Sequence, residues 1–103
     1  MIRHFVHLRF RDAVSDGEKL ELFAALSGLS DHLGGVLDFQ HRKNVSPEAP
    51  VVRGFLDMFW FDFESAAARD AYLADAEHKA VGARLVAAAE GGIDGIFVCD
   101  VEV

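Results

Sequence analysis

Hydrophobic and polar residues alternate along the first stretch of the chain, residues 2–11. The even positions are apolar apart from His4, whereas the odd positions hold three arginines together with Phe5 and His7. A period of two is typical of a strand, because successive side chains point to opposite faces of a sheet. We therefore predict a first strand whose core face carries one histidine.

The next segment has the spacing of a helix. Ser15 and Glu18 form the S-x-x-E pattern, in which the two side chains satisfy free backbone donors at a helix start. Apolar residues then recur at intervals of three and four, which lays them in one stripe. The stripe consists of Leu22, Phe23, Leu26, Leu29 and Leu33. Gly34-Gly35 is the predicted stop.

Two further strands are expected in the middle of the chain. Residues 36–45 alternate weakly, and only one face is apolar because the other holds Asp38, Gln40 and Arg42. Residues 46–50 contain both prolines and predict a loop. Residues 52–63 are apolar on both faces, with phenylalanines on one face and Leu56, Met58 and Trp60 on the other. Such a strand must be covered on both sides.

The last part of the chain predicts a pair of helices and a final strand. Ser65 is a candidate cap for a helix through Tyr72 and Leu73, and a break is expected near Asp75. A second helix is expected over residues 77–90, with Val81, Leu85 and Val86 facing inward. The glycine-rich residues 91–95 predict a turn, and residues 93–103 alternate again as a strand.

The order of these elements indicates the fold. Strand, helix, strand, strand, helix pair, strand is the split βαβ arrangement of a ferredoxin-like α+β protein, in which helices cover one face of the sheet. We expect a single domain over residues 1–103. The uncovered face needs a partner, and a second copy of the chain is the simplest one. The prediction is therefore a homodimeric α/β barrel.

Composition narrows the choice of partners. The chain is 51% hydrophobic with nine Phe, more apolar surface than one small core requires. Its net charge of -7 repels phosphate backbones, so nucleic acid is excluded as a partner. No apolar run has the roughly 20 residues of a membrane span, and no secretory signal is visible, so we expect no membrane partner and a cytoplasmic location. The single cysteine, Cys99, is interpreted as a buried, inert thiol.

Most of the histidines and the carboxylates at the end of the third strand are interpreted as structural residues. The five histidines lack the spacing of a metal site, so we expect no metal and no cofactor. His7 lies on the face opposite His4 and is assigned to the dimer interface, while His32 and His41 are expected to be exposed. Asp62 and Glu64 are interpreted as a solvated strand end rather than an acid/base pair.

His78 and Tyr72 are the candidates for chemistry. His78 heads the last helix and shares its face with Val81, Gly82 and Leu85, so its ring should point inward over the sheet. An imidazole base with a phenol donor can remove a proton next to a carbonyl group. The alternative is that His78 is a hydrogen-bonded core residue and Tyr72 an amphipathic aromatic. The residues alone leave both interpretations open.

Four stretches of the sequence resemble the stress-responsive A/B barrel (Dabb) domain family. They are residues 3–12, Arg53-Gly54-Phe55, residues 61–65 and residues 72–78. The resemblance implies a homodimeric α/β barrel, and the family includes a cofactor-independent polyketide cyclase that works by aldol condensation. Its catalytic tyrosine and histidine correspond to Tyr72 and His78, and a cavity histidine corresponds to His4. Leu26 stands where that cyclase has a tyrosine, and Asp75-Ala76-Glu77 replaces a frequent His-Pro-x.

Three hypotheses about function follow. The first is a homodimeric binding module that holds a small apolar or aromatic molecule between its sheet and helices. The second is an enzyme of the polyketide cyclase type, without cofactor, in which Tyr72 and His78 are catalytic. The third is a structural dimer with a filled core. The residues expected to contact a ligand are His4, Phe23, Leu26, Val81, Gly82 and Leu85.

Overall fold

The computed structural model describes residues 1–103 and contains four strands and four α-helices. They are β1 (Ile2–Leu8), α1 (Asp16–Gly28), β2 (Val36–Lys43), α2 (Ala49–Val52), β3 (Asp57–Phe63), α3 (Ala66–Ala74), α4 (Ala76–Ala88) and β4 (Ile96–Glu102). Short 3-10 turns lie at Leu29–Asp31 and Gly92–Gly95. The strands form one antiparallel sheet in the order β2-β3-β1-β4. The predicted ferredoxin-like α+β fold is confirmed.

Side-chain caps fix the helix starts that the sequence predicted. Ser15 makes both bonds of the capping box, accepting from the backbone N–H of Glu18 at 3.1 Å. The Ser65 hydroxyl caps α3. Asp75 ends α3 and caps α4, because its carboxylate accepts from the backbone N–H of His78 at 2.9 Å. Each such cap contributes about 1 kcal/mol, so the helix break at Asp75 is specified locally.

The core lies between the helices and the inner face of the sheet. It is dominated by the three phenylalanines of β3, which are at most 1% exposed: Phe59, Phe61 and Phe63. The α1 stripe is buried as predicted, except that Leu33 is only partly buried. Val81 and Leu85 face inward on α4, but Val86 is 37% exposed. The prediction for Val86 was wrong, because the residue after Leu85 lies roughly 100° further round the helix.

Two strand boundaries differ from the prediction. A register break between Val36 and Asp38 turns Leu37 outward, where it is 58% exposed. Ahead of β3, the last two residues of the predicted loop and the first residue of the predicted strand lie in α2 instead. Arg53 and Gly54 then adopt left-handed conformations, with φ of 59° and 77°. These turns shorten β3 to seven residues.

Two carboxylates are buried with cationic partners. Asp57, at the start of β3, accepts from the ammonium groups of Lys19 at 3.1 Å and Lys43 at 2.9 Å. Asp62 is 5% exposed and binds the Arg3 guanidinium through both oxygens. The expectation that Asp62 is solvated was wrong, since a buried carboxylate must be paired. Glu64 is exposed, as predicted.

The outer face of the sheet carries no helix. Trp60 lies near its centre, and the guanidinium groups of Arg3 and Arg42 stand 5.8 and 5.7 Å from the Trp60 ring. Phe97 on β4 is 55% exposed, and Cys99 is exposed rather than buried as predicted. The cysteine prediction failed because the odd positions of β4 point to this face. The longest helices, α1 and α4, have 13 residues, and none of the helices meets the length and hydropathy needed to span a membrane.

Candidate functional site

Three polar side chains meet in the otherwise aromatic inner layer. His4 comes from β1, Tyr72 from the last turn of α3, and His78 from the first turn of α4. The Tyr72 and His78 ring centroids are 4.0 Å apart, and those of His4 and Tyr72 are 5.8 Å apart in an edge-on arrangement. The structure thus brings together the three residues that the sequence singled out. We call them the inner polar cluster.

His4 is held by a carboxylate on the neighbouring strand. The β1–β4 register places Asp100 opposite His4, and Nδ1 of His4 lies 2.6 Å from Oδ1 of Asp100. The other oxygen, Oδ2, accepts from Nη1 of Arg69 on α3 at 2.8 Å. Sequence reasoning missed Asp100 and Arg69, because only the β1–β4 register shows that they belong to this site.

The charge state of Asp100 determines which nitrogen of His4 carries the proton. Burial by itself would raise the pKa of Asp100, but hydrogen bonds from Arg69 and His4 outweigh it and hold the pKa below its usual value. An ionised carboxylate can only accept, so Nδ1 of His4 must donate to it. In the neutral ring Nε2 then has the free lone pair, a tautomer that follows from the hydrogen-bond network.

Tyr72 is a phenol in apolar surroundings. It is 1% exposed, and its ring packs 4.8 Å from that of Phe61 and 5.1 Å from that of Phe63. Burial raises the pKa of Tyr72 far above its ordinary value, because the phenolate would be poorly solvated there. The hydroxyl therefore remains protonated and can donate a hydrogen bond at neutral pH.

His78 is a neutral imidazole with an unpaired nitrogen. Its Nδ1 is buried and has no hydrogen-bond partner, although the Leu73 carbonyl is close enough to favour protonation. Burial is the main cause that lowers the pKa of His78 below its usual value. The ring is therefore uncharged at neutral pH. Leaving a buried polar atom unpaired costs about 1–3 kcal/mol.

A third histidine, His32, stabilises the junction between α3 and α4. The exposed His32 bonds through Nε2 to Asp75 at 3.0 Å, and its Nδ1 is 3.3 Å from the carboxylate of Glu77. The hydrogen bond with Asp75 raises the pKa of His32. His32 is exposed as predicted, but it ties the end of the α1 region to the residue that starts α4.

His41 departs from its prediction. It is half-buried, and its ring stacks on that of Phe23 with centroids 4.5 Å apart and planes 11° from parallel. The reason is that His41 follows Phe39 by two residues and pairs with Phe59, so it lies on the inner face beside α1. The stacked pair, with Lys19 and Leu20, lines a surface hollow of about 390 Å³.

The predicted ligand contacts are core residues in the protomer. Exposed fractions are 8% or less for five of the six, namely His4, Phe23, Leu26, Val81 and Leu85. None of the five surface hollows of about 330–530 Å³ is lined by His4, Tyr72 or His78. Gly82 differs, because a Cβ added there would meet no heavy atom within 4 Å. The inner polar cluster is therefore closed in the protomer, with spare room one helical turn from His78.

No three His, Cys, Asp or Glu side chains are grouped closely enough to hold a metal ion. The donors that do lie together are two imidazoles, a phenol and one carboxylate already bonded to Arg69 and His4. This set is suited to exchanging protons and hydrogen bonds with an organic molecule.

The sheet order and the helices on one face define a ferredoxin-like α+β protein whose polar groups lie under the helices. The chain belongs to the stress responsive A/B barrel domain (Dabb) family, whose model matches residues 2–103. No curated protein sequence matches the chain.

Several solved structures are similar over nearly the whole chain. A dimeric ferredoxin-like protein of unknown function from Jannaschia sp. CCS1 is 33% identical, with 99% of this chain and 98% of that one covered and a TM-score of 0.88. At3g17210 from Arabidopsis thaliana is 24% identical (coverage 100% and 95%, TM-score 0.87). A hydroxynitrile lyase from Passiflora edulis is 16% identical (coverage 99% and 92%, TM-score 0.82), a likeness of fold alone.

Proposed function

We propose that the protein binds a small, uncharged, apolar or aromatic molecule at the inner polar cluster. The observation that carries this is the buried, unpaired Nδ1 of His78 beside the buried Tyr72. A core built only for stability gains nothing from polar groups without partners, because each one costs free energy. A ligand with hydrogen-bonding groups would supply the partners that these polar atoms lack in the protein.

The surroundings define the chemistry of the ligand. Phenylalanine rings line the cluster, and the one carboxylate, Asp100, is neutralised by Arg69. A charged ligand would lose its hydration without gaining an opposite charge. A neutral molecule with an oxygen that accepts from the Tyr72 hydroxyl fits best. Because the cluster is closed, α3 and α4 must move away from the sheet to admit it, and the room beside Gly82 lies along that side.

We also propose that two copies of the chain pair through the outer face of the sheet and close an α/β barrel. The support is the aromatic outer face, on which Phe5 packs 5.8 Å from Trp60 and Phe97 is more than half exposed. The similar protein from Jannaschia is described as dimeric. Light scattering at low micromolar concentration should give twice the 11.3 kDa mass of the chain.

A pair of neighbouring substitutions tests which face is used. Phe97→Asp should shift the dimer towards monomer, because it places a charge on the outer face. Val98→Asp is the matched control, since Val98 is 52% exposed against 55% for Phe97 but points to the other face. Equal dissociation by both variants, or a monomeric wild type, would rule out this interface.

Ligand binding is tested by thermal unfolding with a library of neutral aromatic ketones and β-keto esters. A ligand at about 100 times its Kd stabilises the folded state by about 2.7 kcal/mol. We expect such a shift for the wild type and a smaller one for Tyr72→Phe, which removes only the hydroxyl. A library without any shift would contradict the proposal.

A second candidate function is cofactor-independent ring closure of a polyketide-like substrate. The contact between the Tyr72 and His78 rings at 4.0 Å favours it, since it joins a proton donor to a neutral imidazole. Turnover of poly-β-keto substrates should fall in Tyr72→Phe and His78→Ala at matched fold. Equal rates in wild type and variants would remove both residues from the mechanism.

A further inference from the structure

We infer that His4 is the proton acceptor of the inner polar cluster, and that Asp100 and Arg69 are positioning residues that prepare it for this role. The inference rests on the second proposed function and specifies its first chemical step. The family resemblance directs attention to His78 instead. The contacts of the two imidazoles distinguish between them.

The first step of the argument is the orientation of His4. Its Nδ1 is bonded to Asp100 at 2.6 Å, which directs the ring and leaves Nε2 as the nitrogen with a free lone pair. A carboxylate behind an imidazole also stabilises the positive ring that forms when Nε2 takes up a proton. His4 therefore has the partner that a general base requires.

Arg69 makes this arrangement rigid. The two oxygens of Asp100 are divided, one for His4 on β1 and the other for Arg69 on α3, at 2.6 and 2.8 Å. Because Asp100 itself lies on β4, three elements are joined through one carboxylate. Arg69 is held in turn by Asp70 at 2.9 Å. Rotation of Asp100 away from His4 would break both bonds at once.

His78 lacks such a partner. The nearby carboxylate of Asp75 is already engaged, through Oδ1 with His32 and through Oδ2 with the backbone N–H of His78. No carboxylate bonds to the ring itself, because both oxygens of Asp75 are already in use. An additional proton on His78 would therefore be poorly stabilised, so His78 is better suited to contact the ligand as a neutral ring.

The reactive atoms of His4 and Tyr72 are not engaged by other groups of the protein. Neither Nε2 of His4 nor the Tyr72 hydroxyl makes a hydrogen bond within the protein. Both atoms are therefore free to bond to a ligand once α3 and α4 have moved away from the sheet.

The chemical step is the removal of a proton from a carbon next to a carbonyl group. The C–H bond breaks, its proton goes to Nε2 of His4, and its electron pair forms the carbon–carbon double bond of an enolate. The negative charge moves to the carbonyl oxygen, which accepts a hydrogen bond from the Tyr72 hydroxyl. Asp100 stabilises the imidazolium until the proton returns to the product. The step requires no oxidant and no further reactant.

The positioning role is tested by the tautomer of His4, measured by ¹H–¹⁵N correlation on protein labelled in its imidazole rings. We expect the wild type to show a protonated Nδ1 and a bare Nε2, whereas an unconstrained histidine favours Nε2–H. Asp100→Asn should abolish this preference and Arg69→Met should weaken it. Arg84→Met, on the exposed side of α4, is the control. A wild type with its proton on Nε2, or an Arg69→Met indistinguishable from the control, would overturn the assignment.

The acceptor role is tested by deuterium exchange into the methylene group of ethyl acetoacetate. The wild type should accelerate the exchange, and His4→Gln should lose about 100-fold of that acceleration. His78→Gln should lose less of it than His4→Gln, because His78 contacts the ligand without taking up the proton. Arg84→Met, outside the inner polar cluster, should keep the full acceleration, and equal melting temperatures show that the variants are folded. The opposite order, or no acceleration by the wild type, would overturn the assignment to His4. A failure of ligand binding would instead appear in the thermal shifts, and the tautomer measurement requires no ligand.

Discussion

Two buried polar clusters lie at opposite ends of the inner layer, and they are built differently. At the start of β3, Asp57 is 3% exposed and each of its oxygens accepts from a lysine. In the inner polar cluster, Nδ1 of His78 is buried and has no hydrogen-bond partner in the protein. The polar atoms around Asp57 find all their partners within the chain, whereas the inner polar cluster needs a partner from outside the chain.

The difference separates stability from function. The lysines around Asp57 fasten α1 and β2 to the start of β3, so their bonds join elements that must stay together. The inner polar cluster holds groups that a stable fold would replace with apolar side chains of similar volume. Substitutions in the two clusters should therefore change stability in opposite directions.

The largest effect is expected where the Asp57 cluster is broken. Lys19→Met combined with Lys43→Met leaves a buried carboxylate without any cation, which costs about 3–5 kcal/mol. Urea unfolding measures the change, with the exposed Lys79→Met as the control. A loss below about 1 kcal/mol would mean that Asp57 is not held as an ion, and the comparison would fail.

His78→Leu is expected to act in the opposite direction. It removes the unpaired Nδ1 and keeps an apolar side chain under the helices, so the free energy of unfolding should rise by about 1 kcal/mol. Ligand-induced thermal shifts should disappear at the same time. Destabilisation of more than about 1 kcal/mol would show instead that the ring is needed for packing.

Gly82→Ala distinguishes an effect on helix stability from an effect on the space available to a ligand. Alanine is favoured over glycine inside a helix by about 1 kcal/mol, and the added methyl group has free room. Gly28→Ala on α1 is the matched control, because its Cβ also meets nothing within 4 Å. Both variants should melt at higher temperature, but only Gly82→Ala should weaken ligand binding. Equal affinity in the two variants would place the ligand elsewhere.

The smallest effect is a pH dependence at the helix junction. The hydrogen bond with Asp75 raises the pKa of His32 above 6.5, and hydrogen bonds, first that from the His78 backbone, lower the pKa of Asp75 below 3.8. The stabilisation by His32 is therefore complete below its usual pKa and is lost as pH rises through the raised value. The stabilisation by ionised Asp75 is present above the usual pKa of an aspartate and is lost as pH falls through the lowered pKa.

His32→Gln should accordingly lower the melting temperature more at about pH 5.5 than at about pH 8.5. The comparison of the two pH values within each variant cancels effects of the remaining charged groups. A difference between wild type and His32→Gln that does not change with pH would mean that His32 braces the junction without its charge.

Much of the fold could be predicted from local signals. The cap at Ser15, the cap at Ser65 and the break at Asp75 are each written within a few neighbouring residues, and the structure confirms them. The resemblance to the family pointed to His4, Tyr72 and His78, which the structure brings into contact. These residues lie on elements whose inward faces are readable from their periodicity.

The rest depends on long-range partners. Asp62 resembles a solvated strand end until β1 sets Arg3 beside it, and Leu37 fits an alternating strand until pairing with β3 introduces a bulge. Asp100 lies in a polar position of β4, and no neighbouring residue in the sequence indicates a partner for it. Its role follows only from the register opposite His4.

That register also has a kinetic consequence. His4 and Asp100 are 96 positions apart in the chain, so the contact between them closes one of the longest loops that the protein forms. Pairings of such wide separation are entropically costly and slow the folding of a domain. We therefore expect β4 to dock last, after the β2–β3 hairpin has formed. The residues that prepare His4 would then be assembled at the end of folding, and refolding intermediates would have a sheet but no working site.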